Sequence, residues 1–307
     1  MAARFTTRRR FRPGGFRRKR AGIGRRSYRG KRRFWGRRRQ FRRTGGRRMT
    51  TRQILNKTSL KKRDTMLSFN GGSDQIGGVD ILGIGTEPVI YGWVATARPS
   101  FRSTGNTVDP VRGTRLDLSR RSSTTIYARG LRERIHMYTS SGLAWRWRRI
   151  CFYLKGTTIR GANDDPYTSP WFRLTTLGMV RLMNEVPLSN LQEVLFEGGV
   201  NVDWADYFTA KVDTKRVTLA YDKTRVIRSG NDAGVIKEPR FWLPINRNIM
   251  YDDEMQGETK LMAPCSVESL PGVGDLYVID MFAPNVQGAV GDVLHFQPQA
   301  TFYWHEK

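Results

Sequence analysis

The chain has 307 residues, with 54 Lys and Arg against 27 Asp and Glu, for a formal net charge of +27. No apolar run approaches the ~20 residues of a membrane helix, and the two cysteines, Cys151 and Cys265, have neither the number of a disulfide framework nor the CxxC spacing of a zinc site. Both are expected to be free, buried thiols, as suits a reducing compartment.

The charge is unevenly placed. Residues 1–63 hold 27 basic residues and no acidic one; the first carboxylate is Asp64, and the remaining 244 residues carry equal numbers of each sign. Residues 1–63 are therefore expected to be a disordered Arg-rich arm, unable to bury a core and ordered by a polyanion, and residues 64–307 a neutral folded domain. In the arm Arg outnumbers Lys by 22 to 5, and Phe5, Phe11, Phe16, Tyr28, Phe34, Trp35 and Phe41 are interleaved with the charges. Guanidinium forks grip phosphate and lie flat on bases, while aromatics stack on unpaired bases without regard to sequence. The candidate nucleic-acid-binding residues are Arg8, Arg9, Arg10, Arg17, Arg18, Lys19, Arg20, Arg25, Arg26, Lys31, Arg32, Arg33, Trp35, Arg37, Arg38, Arg39, Arg42, Arg43, Arg47 and Arg48. Binding is expected to be steeply salt-dependent, through counterion release. Residues 17–20 and 31–33 also read as nuclear import signals. The basic start lacks the apolar stretch of a secretory signal.

Beyond the arm the chain reads as all-β, with strands predicted at residues 65–69, 89–95, 131–139, 145–154, 208–212, 216–221, 225–228, 276–282 and 293–304. Residues 71–85 read as a flexible glycine-rich connector; Gly83-Ile84-Gly85 lacks the third glycine and flanking elements of a dinucleotide site. Residues 127–138 also fit a helix, but Gly130 and the β-branched neighbours favour a strand. In Trp145-Arg146-Trp147-Arg148-Arg149 alternation places the tryptophans and Arg149 on one face, Arg146 and Arg148 on the other. Two readings stand: the tryptophans enter the core while the arginines meet solvent or carboxylates, or Arg146 and Arg148 touch DNA or a neighbouring subunit. Asp164-Asp165-Pro166 reads as a turn. One helix is predicted, opened by a Ser189/Gln192 capping box and ended by Gly198. Asp252-Asp253-Glu254 reads as a solvated loop, a contact to a neighbour's arginines, or, last, a divalent-cation site. In residues 293–304, Leu294, Phe296, Pro298, Ala300, Phe302 and Trp304 share one face and His295, Gln297, Gln299 and Thr301 the other, the period of a half-buried antiparallel strand; Pro298 suggests an edge or a bulge. His136, His295 and His305 have no metal-ligand spacing and no P-loop is present, so neither enzymatic activity nor a cofactor is expected.

Several blocks resemble genomovirus coat proteins: Thr125-Ile126-Tyr127-Ala128-Arg129-Gly130-Leu131, Thr139-Ser140-Ser141-Gly142, Arg148-Arg149-Ile150-Cys151-Phe152, Val202-Asp203-Trp204, Asp222-Lys223-Thr224-Arg225 with Ser229-Gly230-Asn231, Tyr251-Asp252-Asp253-Glu254 and Pro271-Gly272-Val273-Gly274-Asp275. They run in family order from about residue 61 to 283. More distantly, the plan of basic arm and β body is similar to geminivirus coat proteins. Ala144 and Arg146-Trp147 depart from the family pattern, which has Pro and an aromatic-His pair there. The resemblance implies a single eight-stranded antiparallel jelly roll with long loops, sixty copies in a T=1 shell, circular single-stranded DNA inside, passage through the host nucleus by its import machinery, and no membrane. Sixty arms would balance on the order of 1,600 phosphates.

Overall fold

Two apolar patterns in the sequence become two kinds of strand. The run Asp275–Pro284 is buried at all ten positions, whereas Val293–Glu306 alternates between buried and partly exposed residues. The first pattern belongs to a strand covered on both faces, the second to one with an open face. The computed structural model describes residues 49–85, 87–102 and 111–307, with 47% strand and 6% helix, so the fold is mostly β. The chain divides into two units, 1–48 and 49–307; every arm candidate named above lies outside the described residues.

Eight longer strands carry the architecture: β1 (Leu60–Met66), β2 (Val89–Val94), β3 (Thr125–Thr139), β4 (Trp145–Leu154), β5 (Thr218–Ile227), β6 (Arg240–Met250), β7 (Asp275–Pro284) and β8 (Val293–Glu306). One sheet has the order β1-β8-β3-β6, antiparallel throughout, with Val79–Leu82 paired to β8 and Ile236–Lys237 to β3. The other has the order β2-β7-β4-β5, also antiparallel, and is extended past β2 by Arg181–Glu185, Ser68–Asn70 and Gln75–Ile76, with one parallel pairing. A contiguous apolar cluster joins Met66, Leu131, Phe302 and Trp304 of the first sheet to Trp93, Ile150, Phe152 and Ile279 of the second. The segment between β4 and β5 adds Trp171, Phe172, Leu191, Leu195, Phe196 and Phe208 to the same cluster.

Among the described residues two helices occur. Helix α1 (Thr51–Thr58) opens on a capping box between Thr50 and Gln53 and buries no residue. With β1 it occupies residues assigned to the arm on charge, and β1 crosses the charge boundary after Arg63 because Lys62 is absorbed inside: its Nζ lies 3.0 Å from the Glu306 carboxylate. Helix α2 (Leu188–Leu195) matches the predicted helix, but its N-cap is Pro187, which places Ser189 within the first turn; it stops at Phe196, ahead of Gly198.

Other expectations need correction. The predicted strands 216–221 and 225–228 are one strand, β5, with a bulge between Leu219 and Tyr221. Residues 208–212 form turns and a single bridge from Val212 to Phe196. The glycine-rich connector instead holds the second strand of a hairpin, Gln75–Ile76 paired with Ser68–Asn70, and the strand Val79–Leu82. Strand β8 is central, not an edge. Pro298 sits between the stretches that pair with β1 and with Val79–Leu82. Its partner Ile135 donates its N–H to Pro239 O on the opposite side, so Pro298 and Ile135 are a non-hydrogen-bonded pair. The missing N–H of Pro298 therefore faces the gap between two partners.

Candidate nucleic-acid interface

Arg146 and Arg148 both project from the face of β4 away from Trp145 and Trp147, and the tryptophans enter the core. Arg148 is an internal tie. Its Nε and Nη2 donate to Asp222 at 2.9 and 2.7 Å, its Nη1 donates to Tyr207 O at 2.5 Å, and its side chain is 4% exposed. The loop preceding β5 has closed over it, so the expectation of a DNA contact at Arg148 is replaced by a structural role. Arg146 is one-third exposed; it stacks on Phe208 at 4.2 Å and pairs with Asp206 at 2.6 Å.

Arg149 lies at the centre of an arrangement that sequence reasoning missed. It binds Asp280 through Nε at 2.7 Å and Nη2 at 2.8 Å, and Glu133 through Nη1 at 2.7 Å. Arg181 reaches the same two carboxylates at 3.0 and 3.1 Å, and Trp147 Nε1 donates to Asp280 at 2.8 Å. All four charged side chains are buried. The tetrad is neutral, and it links β3 of one sheet to β4 and β7 of the other. Burial alone would raise the Asp280 carboxyl, but Arg149 and Arg181 together with the Trp147 N–H hold it below its ordinary value. Asp275, on the same strand, goes the other way: burial raises it, and the hydrogen bonds from Ser266 offset only part of that.

Asp253, expected in a solvated loop or against a neighbour, is tied within its own chain. Arg121 binds it bidentately at 2.6 and 2.8 Å and sits 3.9 Å over the Tyr251 ring. Asp165 holds a turn, as expected, by accepting from the Tyr167 N–H and the Thr168 hydroxyl. Among the described residues no three His, Cys, Asp or Glu side chains converge as a metal site, and no helix is long and apolar enough to cross a membrane.

The outward face of the first sheet is open and cationic. In register across the strands lie Lys61, His305 and Tyr127; then Arg63, Tyr303 and Gly130; then Thr65, Thr301, Arg132 and Trp242; then Gln299, Arg134 and Arg240. Among the described residues Arg63, Arg129, Arg132 and Arg240 make no ion pair, while Glu238 serves Arg134 and Asp80 serves His295 at one end. Burial, and then the positive charge of Lys61 and Arg129, holds the His305 imidazole below its ordinary value. Trp242 is 50% exposed. Its ring lies over Gly130, where an added Cβ would meet it at 2.7 Å, and stands edge-on to Tyr303 at 5.7 Å. The signal for this face is the alternation of Arg132, Arg134, His136 and Tyr138 on β3. Strand β6, broken by Pro244, was not predicted, so Trp242 had no place in that reading.

No family model and no curated protein matches the chain.

Proposed function

We propose that the chain is the coat protein of a small single-stranded DNA virus of the genomovirus type, a jelly-roll subunit that builds a T=1 shell of sixty copies and packages the genome through residues 1–48. The observation that carries this reading is the strand order. The strand orders β1-β8-β3-β6 and β2-β7-β4-β5 are those expected of a double Greek key and so support a jelly roll, an architecture used by viral capsids, and in this chain the strands follow a segment with 22 basic residues and no carboxylate. The division of labour is physical. A body with 32 basic and 27 acidic residues in 49–307, a net charge of only +5, packs laterally with little self-repulsion, and a tethered polycation binds phosphate by releasing counterions. Buried arginines satisfied by Asp222, Asp253, Asp280 and Glu133 support the same division, because they consume the body's charge internally. The basic clusters at residues 17–20 and 31–33 fit recognition by the host nuclear import machinery.

Electron microscopy of the purified full chain mixed with circular single-stranded DNA tests the proposal. Closed, uniform particles that protect the DNA from nuclease are expected. A chain that binds DNA but stays monomeric at every salt and protein concentration would instead be a non-assembling nucleic-acid binder.

A further inference from the structure

We propose that the open face of the β1-β8-β3-β6 sheet is a second, folded nucleic-acid site, on which Trp242 and Tyr303 stack unpaired bases and Lys61, Arg63, Arg132 and Arg240 hold the phosphates. This rests on the proposed function and adds to it a site outside the polycation. Three observations carry it. The inner strands of the second sheet are covered, β7 at every position and β2 and β4 at nearly all, with β5 exposed at its edge, whereas the outward positions of β1, β8, β3 and β6 are for the most part exposed or partly exposed. Among the described residues that face has cations without an ion pair at its centre, while the carboxylates of Glu238 and Asp80 lie at one end. An exposed indole packs there over Gly130, which has no side chain to displace it, and Tyr303 adjoins it. A half-exposed tryptophan beside a tyrosine, set among guanidiniums, suits a base with its phosphates on either side. The occupant is a single strand, since a duplex hides the faces of its bases.

The test uses the full chain and a short oligothymidine carrying a photoreactive iodouracil. Cross-links are expected on the peptides that hold Trp242 and Tyr303. Replacing Trp242→Ala with Tyr303→Ala should weaken single-strand binding by roughly 5-fold or more per lost stack, leave duplex binding unchanged, and be partly rescued by Trp242→Phe. If the double variant does not fold, Arg63→Gln with Arg132→Gln should still lower the slope of log affinity against log salt by about 1.4 for two phosphate contacts. Equal single-strand affinity with no cross-link at either aromatic would overturn the site and leave the coat reading standing. A wild-type chain that binds no nucleic acid would overturn both. Protection of Trp242 in particles assembled without nucleic acid would assign the face to a second copy and reject the site.

Discussion

Replacing Asp280→Asn should be among the most damaging single-atom-scale changes in this protein. The carboxylate accepts from Arg149 twice, from Arg181 once and from the Trp147 indole once. With its charge removed, Glu133 alone faces two guanidiniums in a site closed to water, and breaking such a buried pair costs about 3–5 kcal/mol. Against a typical total of 5–15 kcal/mol, the urea midpoint should fall by roughly 1–2 M at an m-value near 3 kcal/mol/M. Adding Arg149→Met removes the stranded charge and should recover at least about 1 kcal/mol of the loss. Glu238→Gln, which breaks the half-exposed pair with Arg134, is the control and should leave the midpoint nearly unmoved. The Asp280 carboxyl is depressed in the folded state, so its contribution is complete above the ordinary carboxylate value of 3.8 and is lost as pH falls through the lower folded value. The gap between wild type and variant should therefore close in strong acid. Equal losses for Asp280→Asn and Glu238→Gln, or a double variant as unstable as the sum of its parts, would refute the account of the tetrad.

Asp275→Asn should cost far less at neutral pH, because burial already disfavours that charge and the asparagine oxygen can still accept from the Ser266 N–H; paired urea curves for the two variants make the comparison. Gly130→Ala forces a methyl group against Leu243 O and the Trp242 ring, both at 2.7 Å, and should lower stability by about 1–3 kcal/mol while shifting Trp242 fluorescence. Burial raises both the Cys151 and Cys265 thiols, so a thiol reagent should modify neither in native protein and both in urea. Removing residues 1–48 should leave the thermal midpoint unchanged and strip most salt-dependent DNA binding, measured by anisotropy over a salt series; removing β1 as well exposes Glu306 and should prevent folding.

The strands most legible in the sequence were those whose pattern reports burial directly. Residues 276–282 are apolar but for Asp280 and 150–154 are wholly apolar, as suits strands covered on both faces, and 293–304 alternates because one face is open. Strand β6 received no assignment because Pro244 and Asn246 interrupt its pattern, yet the register shift between Pro244 and Arg247 accommodates both as a bulge. Helix α1 escaped because its capping box lies inside a polycation, where charge dominated the reading. Residues 208–212 misled in the opposite sense: Phe208, Ala210 and Val212 alternate, but they fill the core from a turn. For the site, local charge runs marked residues 8–48, whereas the tetrad and the sheet face depend on partners 16 to 244 positions apart in sequence, such as Arg149 with Glu133 and Lys61 with His305. Arg148 and Arg149 are neighbours with the same side chain, and only their pairing partners separate one's role from the other's.

The pairing of Leu60 with Glu306 sets a timetable for synthesis. Strand β8 enters between β1 and β3, so neither can complete its ladder until residues 293–306 have left the ribosome, and such distant pairings form slowly. During that interval every growing chain carries two bare strand edges, which invite pairing with other chains. The 22 positive charges of residues 1–48, made before any strand of the body, would then act as a spacer by mutual repulsion, keeping unfinished molecules apart until the closing strand arrives.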